Sequence, residues 1–165
     1  MPSVVDVLLS VFEHEADQAR CVLAAIQDMD MKYTPKEGMR PLSELANHLA
    51  QIPLLDPSMY AHEIKDVEQA RVREKELNRT KLADILALFD KGIKSVKTRF
   101  ADMSEKEFFA KTLKPFYEQG PEKNWAYFMP EFITHMAMHK MQLWMYLKLA
   151  GAKVDMMTYY GHPPG

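Results

Sequence analysis

The chain has 165 residues, 47% of them hydrophobic and 27% charged, enough for a single domain that builds its own core without disulfides. Its 21 basic and 23 acidic residues leave a net charge of −2, with no basic stripe of the kind that neutralises phosphates, which argues against a nucleic-acid binder. No apolar run approaches the roughly 20 residues of a membrane span, and the start, Met1 to Asp6, does not resemble a secretory signal.

From about Ser3 to Met29, Val5, Leu9, Phe12, Ala16, Ala19, Leu23 and Ile26 recur with spacings of four and three. That is one face of an amphipathic helix, with Ser3 placed to cap it. Pro35, Gly38 and Pro41 break the pattern. A second helix is predicted to open at Pro41, a residue suited to a first turn. Leu45, His48, Ile52 and Leu55 share its face, Pro53 should kink it, and Pro57 should end or bend it. Residues 62–81 are dense in charge and read as a solvated, partly helical connection.

A third helix is expected from about Thr80 to Met103, on the stripe Leu82, Leu86, Phe89, Ile93, Val96, Phe100 and Met103. Ser104 and Glu107 have the spacing of a capping box, predicting a short helical turn. The last helix should run from about Glu122 to Ala150, with Pro130 near its first turns and Gly151 able to stop it. Phe128, Phe132, His135, His139, Gln142, Tyr146 and Leu149 form its stripe. The tail beyond reads as extended and loosely held. Four amphipathic helices and no period-two segment predict an all-α four-helix bundle, one domain over residues 1–165.

The residues that break the apolar pattern carry the functional signal. His48, His135 and His139 lie on stripes that should face the interior. His135 and His139 are one helical turn apart, so both imidazoles project from one face. His48, from another helix, supplies a third nitrogen. An unpaired buried imidazole costs on the order of 1–3 kcal/mol, so three in one small core make poor packing but good ligands. Three nitrogens leave a coordination position open, as in catalytic rather than structural metal sites. Position 136 is Met, so the H-E-x-x-H pattern of metalloproteases is not met.

Gln142, three residues after His139, should hold a ligand or line the pocket. Glu44 and Glu131 each precede a proposed ligand by four residues and either orient an imidazole or decorate a helix flank. Glu15 reads as a surface residue, with a base in the interior as the alternative, and Tyr146 as aromatic core or as a hydroxyl aimed at substrate. His14, His62 and His162 look ordinary. The lone Cys21 makes no internal disulfide, which fits a reducing cytoplasm. The 13 methionines, about three times the usual share, suit core gaps and adaptable pockets alike.

Two segments resemble a known family. Met39-Arg40-Pro41-Leu42-Ser43-Glu44-Leu45-Ala46-Asn47-His48-Leu49-Ala50 is similar to the second-helix signature of the DinB/YfiT-like superfamily, and Thr134-His135-Met136-Ala137-Met138-His139-Lys140-Met141-Gln142-Leu143 to its last-helix signature. The segment Tyr146 to Val154 resembles the family's usual ending. The resemblance implies up-down-down-up topology, a divalent-metal site at His48, His135 and His139, and often a homodimer. Family members of known activity include metal-dependent transferases and isomerases that use small thiols such as bacillithiol or mycothiol. The chain departs at Lys140-Met141, where the family often has Arg-Gly. A methionine there should add bulk against a neighbouring helix and so affect helix packing or dimer geometry.

The expected function is a cytoplasmic divalent-metal-dependent enzyme, with zinc or nickel at the His₃ site and small-thiol S-transfer as its chemistry. The alternatives are a metal-dependent hydrolase and a non-catalytic metal- or ligand-binding bundle of a stress response. The expected partners are a small-molecule substrate and a second copy of the chain. Off the inward stripe of the last helix, Met141, Trp144 and Met145 should be covered by that copy or by the long connections.

Overall fold

The computed structural model describes residues 1–164 and is all-helical, with α1 (Val4–Ala24), α2 (Leu42–Tyr60), α3 (Val67–Leu77), α4 (Leu82–Phe100), α5 (Glu105–Ala110), α6 (Trp125–Leu149) and α7 (Met156–Tyr159). Four helices are long. Each packs on two of the others: α2 on α4 and α6, α1 on α4 and α6.

Contacts along these pairs give their directions. Phe12 stacks on Phe132 at 5.1 Å and Glu15 pairs with Lys140 at 2.8 Å, so α1 and α6 run parallel. Arg20–Asp90 at 2.7 Å and Lys97–Glu13 at 2.8 Å set α1 and α4 antiparallel. Tyr60 stacks on Phe128 at 4.5 Å while His48 meets His139 at 3.1 Å, so α2 and α6 are antiparallel.

The predicted α1 stripe is the buried one: Val5, Phe12, Ala16, Ala19 and Leu23 are all interior. Ser3 caps α1 with a full capping box to Asp6, and Ser104 and Glu107 do the same for α5. At the other end of the chain, Gly151 has φ +83, and the backbone N–H groups of Gly151 and Ala152 close onto Lys148 and Leu147. This is a Schellman stop, and it needs a residue tolerant of positive φ.

Three expectations are corrected. Pro41 is the extended N-cap of α2, not its first helical residue. Pro57 does not end α2, which continues to Tyr60. Leu49, Ile52, Pro53, Leu55 and Pro57 are all buried, and packing on that scale outweighs the backbone hydrogen bonds that two prolines remove. The tail is not loose. Its short helix α7 packs on α1, and Trp144 Nε1 donates to the Asp155 carbonyl at 2.8 Å.

Because α2 and α4 run the same way, their connection must travel back along the bundle, and it carries α3. The buried amides of α2 hold it there. Asn47 exchanges hydrogen bonds with the Arg79 backbone at 2.7 and 2.8 Å, and Gln51 donates to the Glu74 carbonyl and to Asn78 Oδ1. The crossover is thereby pinned beside His48.

Candidate metal centre

His48 projects from α2, and His135 and His139 from consecutive turns of α6. Antiparallel packing brings the three imidazoles together, with one potential ligand atom from each within 4.8 Å of the others. Two of the rings are tied from behind. His135 Nδ1 lies 2.7 Å from Asp56 Oδ2, and His139 Nδ1 lies 2.9 Å from Gln142 Oε1. Both partners are oxygen acceptors, so each Nδ1 carries the proton and each Nε2 is left bare for an ion.

His48 Nε2 stands 3.1 Å from His139 Nε2. Two nitrogens about 2.05 Å from one zinc at the tetrahedral angle would be about 3.3 Å apart. The His48–His139 pair therefore has the spacing of two ligands on one divalent ion, and His135 and His139 have the tautomer and outer support of ligands. Among the described residues this is the only such cluster.

A family model described as the DinB family matches residues 1–163. The chain belongs to the DinB family. A crystal structure of an Exiguobacterium sibiricum protein assigned to the same family shares the fold, with a TM-score of 0.72 at 18% identity over 94% of this chain and 97% of that one. No curated protein matches the chain.

In this DinB-family chain the electrostatics differ from ring to ring. Burial is the largest influence on His48 and, with the positive field of His139, Arg40 and His135, takes its pKa down to about 3. Burial also lowers His139, although Gln142 works against it. At His135 burial is opposed by the hydrogen bond and charge of Asp56, and the outcome is a raised pKa.

Asp56 is the site residue that sequence reasoning missed. It is 4% exposed and also accepts a 3.4 Å hydrogen bond from Tyr60. Its signal was spacing: it lies eight residues after His48, two turns along the same face, but only if α2 runs through Pro53 and Pro57. Gln142 lies 2.9 Å from His139 Nδ1 through its Oε1. Glu44 and Glu131 orient no imidazole; both are exposed, Glu44 on a recess beside His48 and Glu131 on one beside His135.

Glu15 is neither a surface residue nor a base at the triad: it pairs with Lys140 on another side of α6. Met141 is 40% exposed, while Lys140 is buried. Tyr146 is core, 2% exposed, and its hydroxyl lacks a protein partner. A recess of about 540 Å³ between α1 and α4 contains none of the three histidines, so chemistry rather than volume marks the site.

Proposed function

We propose that this chain is a divalent-metal-dependent S-transferase, holding zinc or nickel at His48, His135 and His139 and joining a small cellular thiol to an electrophilic carbon. The observation that carries the reading is the set of three converging imidazoles, two of them locked from behind by Asp56 and Gln142. A dication among three neutral nitrogens supplies undiminished Lewis acidity, which lowers a thiol's pKa below its free value of about 8.5. In the transfer a sulfur–carbon bond forms, the bond from carbon to halide or epoxide oxygen breaks with its electron pair, and the thiol proton passes to solvent or to the released oxygen.

The protein's own residues orient and exclude. Asp56 and Gln142 fix the imidazole tautomers. Asp56 takes both His135 and Tyr60 on Oδ2, which makes it a positioning group for those two rings. Thiol chemistry is favoured because the metal itself promotes loss of the thiol proton, so no separate base is required. A hydrolytic reading has one observation in its favour: Glu131 opens on the same recess as His135 and could deprotonate water there.

The test pairs several cellular thiols with a chlorinated and an epoxide electrophile, using native, chelated and His139→Ala protein. Native protein is expected to hold close to one divalent ion per chain and to show transfer that both treatments abolish. Equal rates in all three samples would overturn the reading. Metal-dependent turnover of ester or amide substrates alone would establish the hydrolase. Metal bound without turnover of either kind would leave a binding bundle.

A further inference from the structure

The triad stands between two recesses of different electrostatic character. On the His48 side a recess of about 350 Å³ is polar, and Arg40 lines it together with Glu44 and Glu74. On the His135 side a recess of about 430 Å³ is walled by Met59, Met138, Tyr60 and Tyr117, with Asp56 and Glu131. Among the described residues no lysine or arginine lines this second recess.

Its walls have the character of a small-molecule compartment: flexible thioethers that adapt to shape, ring faces that stack, and few polar groups. Asp56 and Glu131 place two carboxylates in its wall. Burial raises the Tyr60 and Tyr117 phenol pKa values, and those carboxylates raise them further, so both hydroxyls stay protonated and uncharged. Away from its His135 end, an anion entering here meets two carboxylates and no lysine or arginine, whereas an apolar or cationic group meets ring faces that attract it.

We propose that the His135-side recess receives the electrophile, a small apolar molecule without negative charge, and that Tyr117 and Glu131 set this selectivity. The assignment of the occupant as electrophile rests on the S-transferase reading; the charge selectivity of the recess does not. Tyr117 sits in the connection between α5 and α6, which is closed by the paired backbones of Leu113 and Lys123 at 2.7 and 3.0 Å. Tyr117 is 45% exposed and Glu131 is exposed, so both can be replaced without opening the core.

The test uses protein carrying ¹³C-methyl methionine, titrated with benzyltrimethylammonium, benzyl alcohol and benzenesulfonate and read on the Met59 and Met138 methyl resonances. The ammonium and the alcohol are expected to shift both methyls, and the sulfonate to bind at least several-fold more weakly. Tyr117→Ala should weaken the first two by about threefold to tenfold through loss of stacking. Glu131→Gln should narrow the preference for the ammonium over the sulfonate while leaving the alcohol unchanged, a pattern that a purely structural role would not give. Equal shifts by sulfonate and ammonium, or a preference unaltered in Glu131→Gln, would overturn the proposal. The two readings fail separately. Selective binding without thiol transfer would count against the S-transferase alone, and transfer without this selectivity would count against the compartment alone.

Discussion

At His135 two effects pull in opposite directions. Burial disfavours the imidazolium, and the Asp56 carboxylate 2.7 Å away favours it and prevails. His48 and His139 have no such partner and are held neutral. In chelated protein the triad therefore takes its first proton readily, at His135, and resists the rest. The sign for stability follows. A raised His135 contributes stability below its unfolded value of about 6.5, lost as pH rises through the folded value. The lowered His48 contributes none of its own above about 6.5 and costs stability as pH falls from there toward 3. His48 and His139 act together, so the urea midpoint of chelated protein should fall between pH 6.5 and 5, before carboxylates such as Glu63, lowered by its Arg99 hydrogen bond, begin to protonate. His48→Gln should flatten that fall; a midpoint that rises through the window would contradict the assignment. Asp56→Asn should weaken metal affinity by about 10-fold to 100-fold, as measured by competition with a chromophoric chelator, while an unchanged affinity would remove Asp56 from the site. The ligands were legible because four-residue spacing on a helix is a geometric statement. Asp56 was not, because its place depended on a helix surviving two prolines.

The helices α2 and α4 approach each other closely at Gly92. A Cβ added to Gly92 would lie 2.9 Å from the Pro53 Cβ. The proline ring cannot swing aside, so Gly92 and Pro53 together set the approach of the two helices, five residues along α2 from His48. Gly92→Ala brings a helix-propensity gain of about 1 kcal/mol against an overpacking cost of about 1–3 kcal/mol. The net expectation is a loss of about 1 kcal/mol, or about 2–4 °C in Tm for a chain of this size; a clear rise in Tm by calorimetry would show that the contact relaxes freely. The four long helices were legible from their period, and three helix ends from residues that act locally, Ser3 at α1, Ser104 at α5 and Gly151 after α6. The fates of Pro57 and of the tail were not, since both are decided by residues distant in sequence. The tail is held by Lys140 and Trp144 of α6 and by α1, and no pattern within residues 152–164 announces those partners.

Across the whole molecule, Lys140 ties three segments together. It is 1% exposed, lies 2.8 Å from Glu15, donates to Gln18 and sits 4.1 Å from the centre of the Tyr159 ring. Removing one partner of a buried ion pair costs about 3 kcal/mol, so Lys140→Met should lower Tm by on the order of 10 °C and loosen the tail over Trp144, seen as a red-shifted emission. The tail covers Trp144, but Met141, Met145 and Leu149 remain 40%, 44% and 61% exposed along α6. A second copy of the chain is the expected cover: sedimentation should find a dimer that Met145→Lys dissociates, and a monomer at micromolar concentration would retire it. No helix among the described residues is long and apolar enough to cross a membrane. The site itself draws its nitrogens from opposite ends of the bundle's history. His48 and His139 are 91 residues apart, which at ribosomal speed is roughly 5–20 s of synthesis. For most of that interval α2 is complete and α6 has not begun, so Phe12 waits for Phe132 and His48 waits alone. An ion held by all three histidines could be captured only among the last events in the birth of a molecule, and its presence would be a record that the final long helix has docked.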